Sequence, residues 1–264
     1  MSLGNPGLRR RFATGLALAV AVSTTGPVHA DRAETIARVK VSVVAIGTVE
    51  RTRTPPFQFL GTGFAVDDGT FIVTNAHVVS GLIDPGKMEV LAILVPGAAN
   101  DGKEQVREAR QIAVDPGSDL AVLKISGPGL RALKIRTSDG VKEGQEIFFT
   151  GYPIGAVLGP FPATHRGIIS AITPIAIPQG RAGDLEAHTI RRLATGAFPV
   201  FQLDATAYPG NSGSPLYDPD SGDVLGVVNM VFVKGTKEAM LSQPSGITYA
   251  VPASRLVDLL KKAH

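Results

Sequence analysis

Cysteine and tryptophan are absent from the 264 residues, aromatic residues make up only 6%, and there are five histidines. The lack of cysteine excludes a disulfide framework, a thiol nucleophile and any thiolate metal site. No two histidines stand at ligand spacing, so neither a metal centre nor a cofactor is expected. A sustained helical period is also missing. The apolar content of 44% is carried by Val, Ile, Leu and Ala in short runs between turn signals, a composition that suits many short strands.

An excess of one charge is lacking too, once the amino terminus is set aside. Arg9-Arg10-Arg11 is a positive region, Phe12 to Val22 an apolar run and Val28-His29-Ala30 a small-residue cleavage site. Together they predict a signal peptide over residues 1–30, cut after Ala30. The apolar run is shorter than the ~20 residues a membrane span needs. Without the three arginines of this leader, 23 of the 26 basic residues remain against 23 acidic ones, so the mature chain is formally neutral. The basic balance of the whole sequence therefore belongs to the export signal, and neither nucleic acid nor a membrane surface is expected as a partner. The protein is expected in the periplasm or the extracellular space, with no membrane span after signal removal.

Along the mature chain, Asp31 to Val39 reads as a short helix and Val41 to Val49 as a strand, and Arg51 to Phe57 reads as a protruding loop. Gly63 to Val66 and Phe71 to Thr74 are strands joined by the Asp67-Asp68-Gly69 turn, and Val90 to Val95 is a third run. The polar segment Ala98 to Glu108 reads as a loop. After a polar connector at Leu133 to Gly144 the pattern restarts, which places a boundary near residue 138, with a first barrel over about 40–137 and a second over about 138–252. A closing helix follows over 253–263, with Ser254 as its cap and an apolar face of Leu256, Val257, Leu259 and Leu260. Gln179 to Gly196 is more polar than its flanks and reads as an insertion before the strand at Val200 to Ala205.

The chemistry is concentrated in Tyr208-Pro209-Gly210-Asn211-Ser212-Gly213-Ser214-Pro215, a serine between glycines on a tight turn. A serine hydroxyl needs a base within hydrogen-bond reach and a group that orients the base. His77, in Thr74-Asn75-Ala76-His77-Val78-Val79, and Asp119, at the head of Ser118-Asp119-Leu120-Ala121-Val122-Leu123, are the candidates. Ser212 would attack a carbonyl, His77 would carry the proton and Asp119 would set the imidazole tautomer. The backbone N–H groups of Gly210 and Ser212 would form the oxyanion hole. Taken singly, His77 could be a cap or core histidine, Ser212 and Asp119 plain turn residues; their conjunction favours catalysis.

These blocks, with Gly61-Thr62-Gly63-Phe64, Gly151-Tyr152-Pro153-Ile154-Gly155 and Gly246-Ile247-Thr248-Tyr249-Ala250-Val251-Pro252, resemble the trypsin-like proteases of the HtrA/Deg group over about residues 40–260. The His…Asp…Ser order is that of chymotrypsin-like enzymes. The resemblance implies an all-β fold of two six-stranded antiparallel barrels with the site between them, and a serine endopeptidase acting on protein or peptide substrates. It departs from the group in two places. Only the closing helix follows Pro252, so no PDZ domain is expected. Ser214-Pro215 stands where a second glycine is common, as in glutamyl endopeptidases. Position in the resemblance puts Thr206 at the base of the specificity pocket and Val227, Val228 and Asn229 along its wall, which implies small or medium apolar side chains before the cut. Asn211 stands where digestive enzymes carry the aspartate that pairs with a new N-terminus, so activation by such a cut is not expected. The alternative, from another class, is an inactive protease fold serving as a binding or chaperone-like module.

Overall fold

Short, nearly continuous apolar runs rich in valine and isoleucine, separated by glycine and aspartate turns, make most of the strands, which are buried on both faces. The structure is a computed structural model and describes residues 1, 31–80, 88–95, 105–155, 159, 161–174, 198–230 and 246–263. The expected leader beyond Met1 and the Gln179 to Gly196 insertion lie outside the described residues. In the first half, β1 (Val43–Val49), β2 (Phe57–Val66), β3 (Phe71–Asn75), β4 (Val90–Val95), β5 (Gln105–Asp115) and β6 (Leu120–Ile125) close a barrel in the order β1-β2-β3-β6-β5-β4. In the second half, β7 (Glu146–Gly151), β8 (Ala163–Pro174), β9 (Pro199–Asp204), β10 (Pro215–Tyr217), β11 (Val224–Asn229) and β12 (Ile247–Pro252) close another in the order β10-β11-β12-β9-β8-β7. Neighbouring strands are antiparallel throughout, for instance β3 with β6 and β11 with β12. The all-β architecture of two six-stranded barrels with a C-terminal helix is therefore what the chain forms, and closure leaves neither sheet an open edge.

Three helices accompany the barrels among the described residues. Helix α1 (Arg32–Lys40) is capped by Asp31, whose carboxylate accepts the Ala33 N–H at 2.9 Å. Although first in the chain it docks on the second barrel, with Arg32 on Glu146 at 2.7 Å and Arg38 on the Ser221 carbonyl at 2.8 Å. Helix α2 (Ala76–Val79) is a single turn at the end of β3. Helix α3 (Ala253–Leu260) follows β12 directly, and its cap is Pro252 rather than the expected Ser254. The reason is pairing: Pro252 is still in register with Gly226 of β11, so the chain turns from strand to helix without a loop, and the Ser254 N–H donates to Ser138 Oγ at 3.3 Å.

Two loop readings need correcting at their ends. β5 begins at Gln105, inside the segment read as a loop, and most of its side chains are exposed or half-buried. Its polarity reflects a solvated outer face, while its backbone pairs with β4 and β6. Likewise Phe57, read as loop, is the first residue of β2 and pairs with Val49.

Alternation along the strands sorts the apolar residues into three cores. Ile72 of β3 and Leu123 of β6 fill the first barrel, whereas their neighbours Val73 and Val122 point outward to the other barrel. In β11 a bulge opposite Leu216 and Tyr217 shifts the alternation by one residue, so Leu225 and Val228 fill the second barrel while Val224 and Val227 face the first. Leu256 and Leu259 of α3 join this third core, so the helix packs where the two barrels meet.

Candidate active site

Strand pairing brings the base and its partner together. β3 and β6 are in register at Asn75 and Leu120, so the residue after Asn75's neighbour, His77, and the residue before Leu120, Asp119, sit side by side. Asp119 ends a turn with φ of 56°, which aims its carboxylate back at α2. There it does several things at once. Its carbonyl accepts the Ala76 N–H at 3.0 Å and the Asn75 side-chain amide at 3.1 Å, and its Oδ1 accepts the His77 N–H at 2.9 Å. Its Oδ2 lies 2.6 Å from His77 Nδ1 and accepts the Asn229 amide at 2.7 Å. With Nδ1 carrying the proton toward Asp119, Nε2 is left as the acceptor.

Burial opposes charge on Asp119, which is 5% exposed. The hydrogen bonds from the His77 ring and backbone and from Asn229, with the electrostatic attraction of His77, outweigh it and hold the carboxyl below its ordinary range. The partner is therefore a carboxylate at neutral pH. The His77 side chain is 30% exposed, open enough to meet a substrate.

Ser212 comes from the other barrel. Its carbonyl accepts the Thr62 N–H at 2.9 Å, and both that carbonyl and Val78, next to His77, lie against Gly61. No hydrogen bond links Ser212 Oγ to His77 among the described residues; this contact is commonly long until substrate closes it. The turn around the serine is held by two positive-φ glycines, Gly210 at 103° and Gly213 at 87°. A Cβ on Gly210 would overlap the Tyr152 carbonyl and one on Gly213 the Thr62 carbonyl, so only glycine fits. Among the described residues neither the Gly210 N–H nor the Ser212 N–H is used in an internal hydrogen bond. A pair of uncommitted N–H groups beside a serine is suited to a developing oxyanion.

A family model for the trypsin-like peptidase domain matches residues 61–227, from within β2 to within β11, a stretch that includes His77, Asp119, Gly210 and Ser212. The chain belongs to this family. The chain is 31% identical over 201 residues to a probable periplasmic serine endoprotease, DegP-like, of Halomonas elongata, covering 76% of this chain and 34% of the relative. It is 36% identical over 205 residues to one from Chlamydia pneumoniae, again over 76% and 34%. The chain thus spans about a third of the length of the curated relatives it matches. Among solved structures, Deg5 aligns with a TM-score of 0.58 at 26% identity, covering 86% of this chain and 90% of that one. The HtrA-type protease AlgW with tripeptide aligns at 0.60 and 24% identity, covering 88% and 62%, which bears on the fold.

The side chains read as pocket wall are all buried. Asn229 is wholly buried and committed to Asp119, because it shares the face of Val227, two residues earlier, which looks toward the first barrel. Val227 is packed in the core between the barrels and Val228 inside the second barrel, and neither is accessible. Thr206 is half-buried at the start of the serine loop. The bond from Asn229 to Asp119 was therefore missed from sequence, although the alternation of β11 carried the signal. Asn211 is fully buried, and its side chain makes no hydrogen bond among the described residues. His165 of β8 stacks on Phe149 with ring centroids 4.8 Å apart, and burial lowers its pKa from the usual imidazole value. No group of His, Asp and Glu that could hold a metal occurs among the described residues.

Proposed function

We propose that the chain is an exported serine endopeptidase that cleaves peptide bonds through the triad His77, Asp119 and Ser212. One observation carries the reading: a buried Asp119 carboxylate holds His77 by both its ring and its backbone, beside a serine turn whose two N–H groups are uncommitted. Ser212 Oγ adds to the substrate carbonyl as its proton passes to His77 Nε2, and the oxyanion rests on the N–H groups of Gly210 and Ser212. The proton then goes to the leaving amine as the C–N bond breaks, leaving an acyl-enzyme. Water, deprotonated by His77, adds to the acyl carbon, and the carboxylic product leaves as the proton returns to Ser212. Asp119 remains ionised throughout.

The relatives' description as periplasmic endoproteases supports a periplasmic site of action and protein substrates. Between Ala205 and Tyr217 and from Val224 to Met230 no side chain carries charge. That supports a preference for small or medium apolar residues before the cut, with Thr206 at the pocket. The decisive measurement is labelling of the folded mature chain by a fluorophosphonate. Label on Ser212 that disappears in Ser212→Ala and His77→Ala, with proteolysis of a denatured substrate lost in both, is the expected result. A folded chain that takes no label would instead be a binding module on a protease fold.

A further inference from the structure

Gly210 must hold its N–H still while charge develops beside it, yet glycine is the residue least able to hold itself. Its φ of 103° is a conformation from which the flanking peptides rotate easily. Both are pinned from outside. The Pro209 carbonyl accepts the Ile154 N–H at 2.7 Å, and since a trans peptide sets C=O and N–H on opposite sides, this turns the Gly210 N–H away from the 151–155 turn. The next carbonyl, that of Gly210 itself, accepts the hydroxyl of Thr62 at 2.6 Å.

Thr62 belongs to β2 of the first barrel and is completely buried. Its Oγ1 also accepts the Tyr152 N–H at 3.0 Å, so one hydroxyl ties the serine turn to the 151–155 turn. Its backbone N–H holds the Ser212 carbonyl at 2.9 Å. Its own carbonyl accepts Thr74 Oγ1 at 2.7 Å, from the strand that leads to His77. As a β-branched residue it has a stiff χ1, which keeps the hydroxyl aimed.

We propose that Thr62 is a positioning residue for the oxyanion hole: its hydroxyl, by fixing the Gly210 carbonyl and the Tyr152 N–H together, holds the Gly210 N–H in the donating orientation. The proposal rests on the endopeptidase reading above. It assigns to the first barrel a direct hold on the electrostatic machinery of the second.

Thr62→Val keeps the shape and removes the hydroxyl, and Thr62→Ser keeps the hydroxyl. With the full mature chain and a small ester substrate, Thr62→Val should lower kcat by about tenfold to a hundredfold, approaching the loss seen when an oxyanion donor is removed outright. KM should stay within about threefold, because the interaction matters only in the transition state. Affinity for a peptide aldehyde, whose adduct puts an oxyanion in the hole, should fall in step with kcat. Thr62→Ser should recover most of the loss. Thermal denaturation of each variant reports folding, and if Thr62→Val does not fold, Thr62→Ala takes its place in the same comparison. Wild-type kcat in the hydroxyl-free variant, or equal losses in Ser and Val variants, overturns the proposal alone. A wild-type chain that neither turns over nor takes fluorophosphonate overturns it together with the endopeptidase reading.

Discussion

A carboxylate taken out of water must have its lone pairs occupied, and three donors meet Asp119: the His77 ring, the His77 N–H and the Asn229 amide. The first two come from its own barrel and the third from the other. Asn229→Ala should therefore leave Asp119 short of one donor without touching the substrate. A hydrogen bond to a charged group contributes about 1.5–3 kcal/mol, and part of that loss should appear as a fall in kcat of about tenfold at nearly constant KM. Asp119→Asn should be far more damaging, about 10⁴-fold in kcat, because the amide favours the wrong imidazole tautomer. Steady-state kinetics on both variants checks the ranking; an Asn229→Ala enzyme as impaired as Asp119→Asn would contradict it.

At the scale of elements, α3 is the piece that neither barrel needs for closure and both need for docking. Leu256 has no exposed surface and packs with residues of both barrels, and Leu259 is nearly as buried. Leu256→Ala should cost about 2–5 kcal/mol, the range for a leucine truncated in a core. The urea midpoint should drop accordingly, while kcat of the folded fraction at low temperature should stay close to that of the parent, since among the described residues α3 makes no hydrogen bond to His77, Asp119 or Ser212. Gly151, at the end of β7, is the opposite kind of position. A Cβ there would overlap Ser214 Oγ and come within 2.8 Å of Asn211 Oδ1, so Gly151→Ala should disturb the serine turn and lower kcat more than stability. Comparing kcat with the urea midpoint for the two variants separates these roles.

For the whole molecule, the site exists only while the barrels are docked, because His77 and Asp119 belong to one and Gly210 and Ser212 to the other. Global stability also follows pH through groups on both. Burial against Phe149 lowers the pKa of His165 and no hydrogen bond to its Nε2 occurs among the described residues, so the native state prefers the neutral ring. Between its depressed native value and the ordinary imidazole value the unfolded chain binds more protons, and stability falls as pH drops through that window. Burial opposes charge on Asp218, but the N–H groups of Ser221 and Asp220 and the nearby Arg136 hold its carboxyl below the usual range, as His77 does for Asp119. The stability these two contribute is present above the ordinary carboxylate value and lost as pH falls through their lowered values. Denaturant midpoints should thus decline in two stages on acidification, and His165→Phe should flatten only the first.

Local pattern was enough to make most strands legible: short apolar runs of valine, isoleucine and leucine bounded by turn residues mark β1, β3, β4 and β6 whatever they pair with. The serine turn and the histidine and aspartate contexts were legible for the same reason, since each depends on a few adjacent residues. What sequence could not supply was the identity of the neighbour across space. Polar β5 is a strand because β4 and β6 flank it. Asn229 reaches Asp119 because the face of β11 that carries it is turned to the other barrel. Thr62 lies in a motif that marks the family, yet its hydroxyl finds Gly210, 148 positions later, only when the barrels close on each other. Alternation along a strand states which residues share a face; what that face meets is decided by how the barrels pack, and the site lies between them.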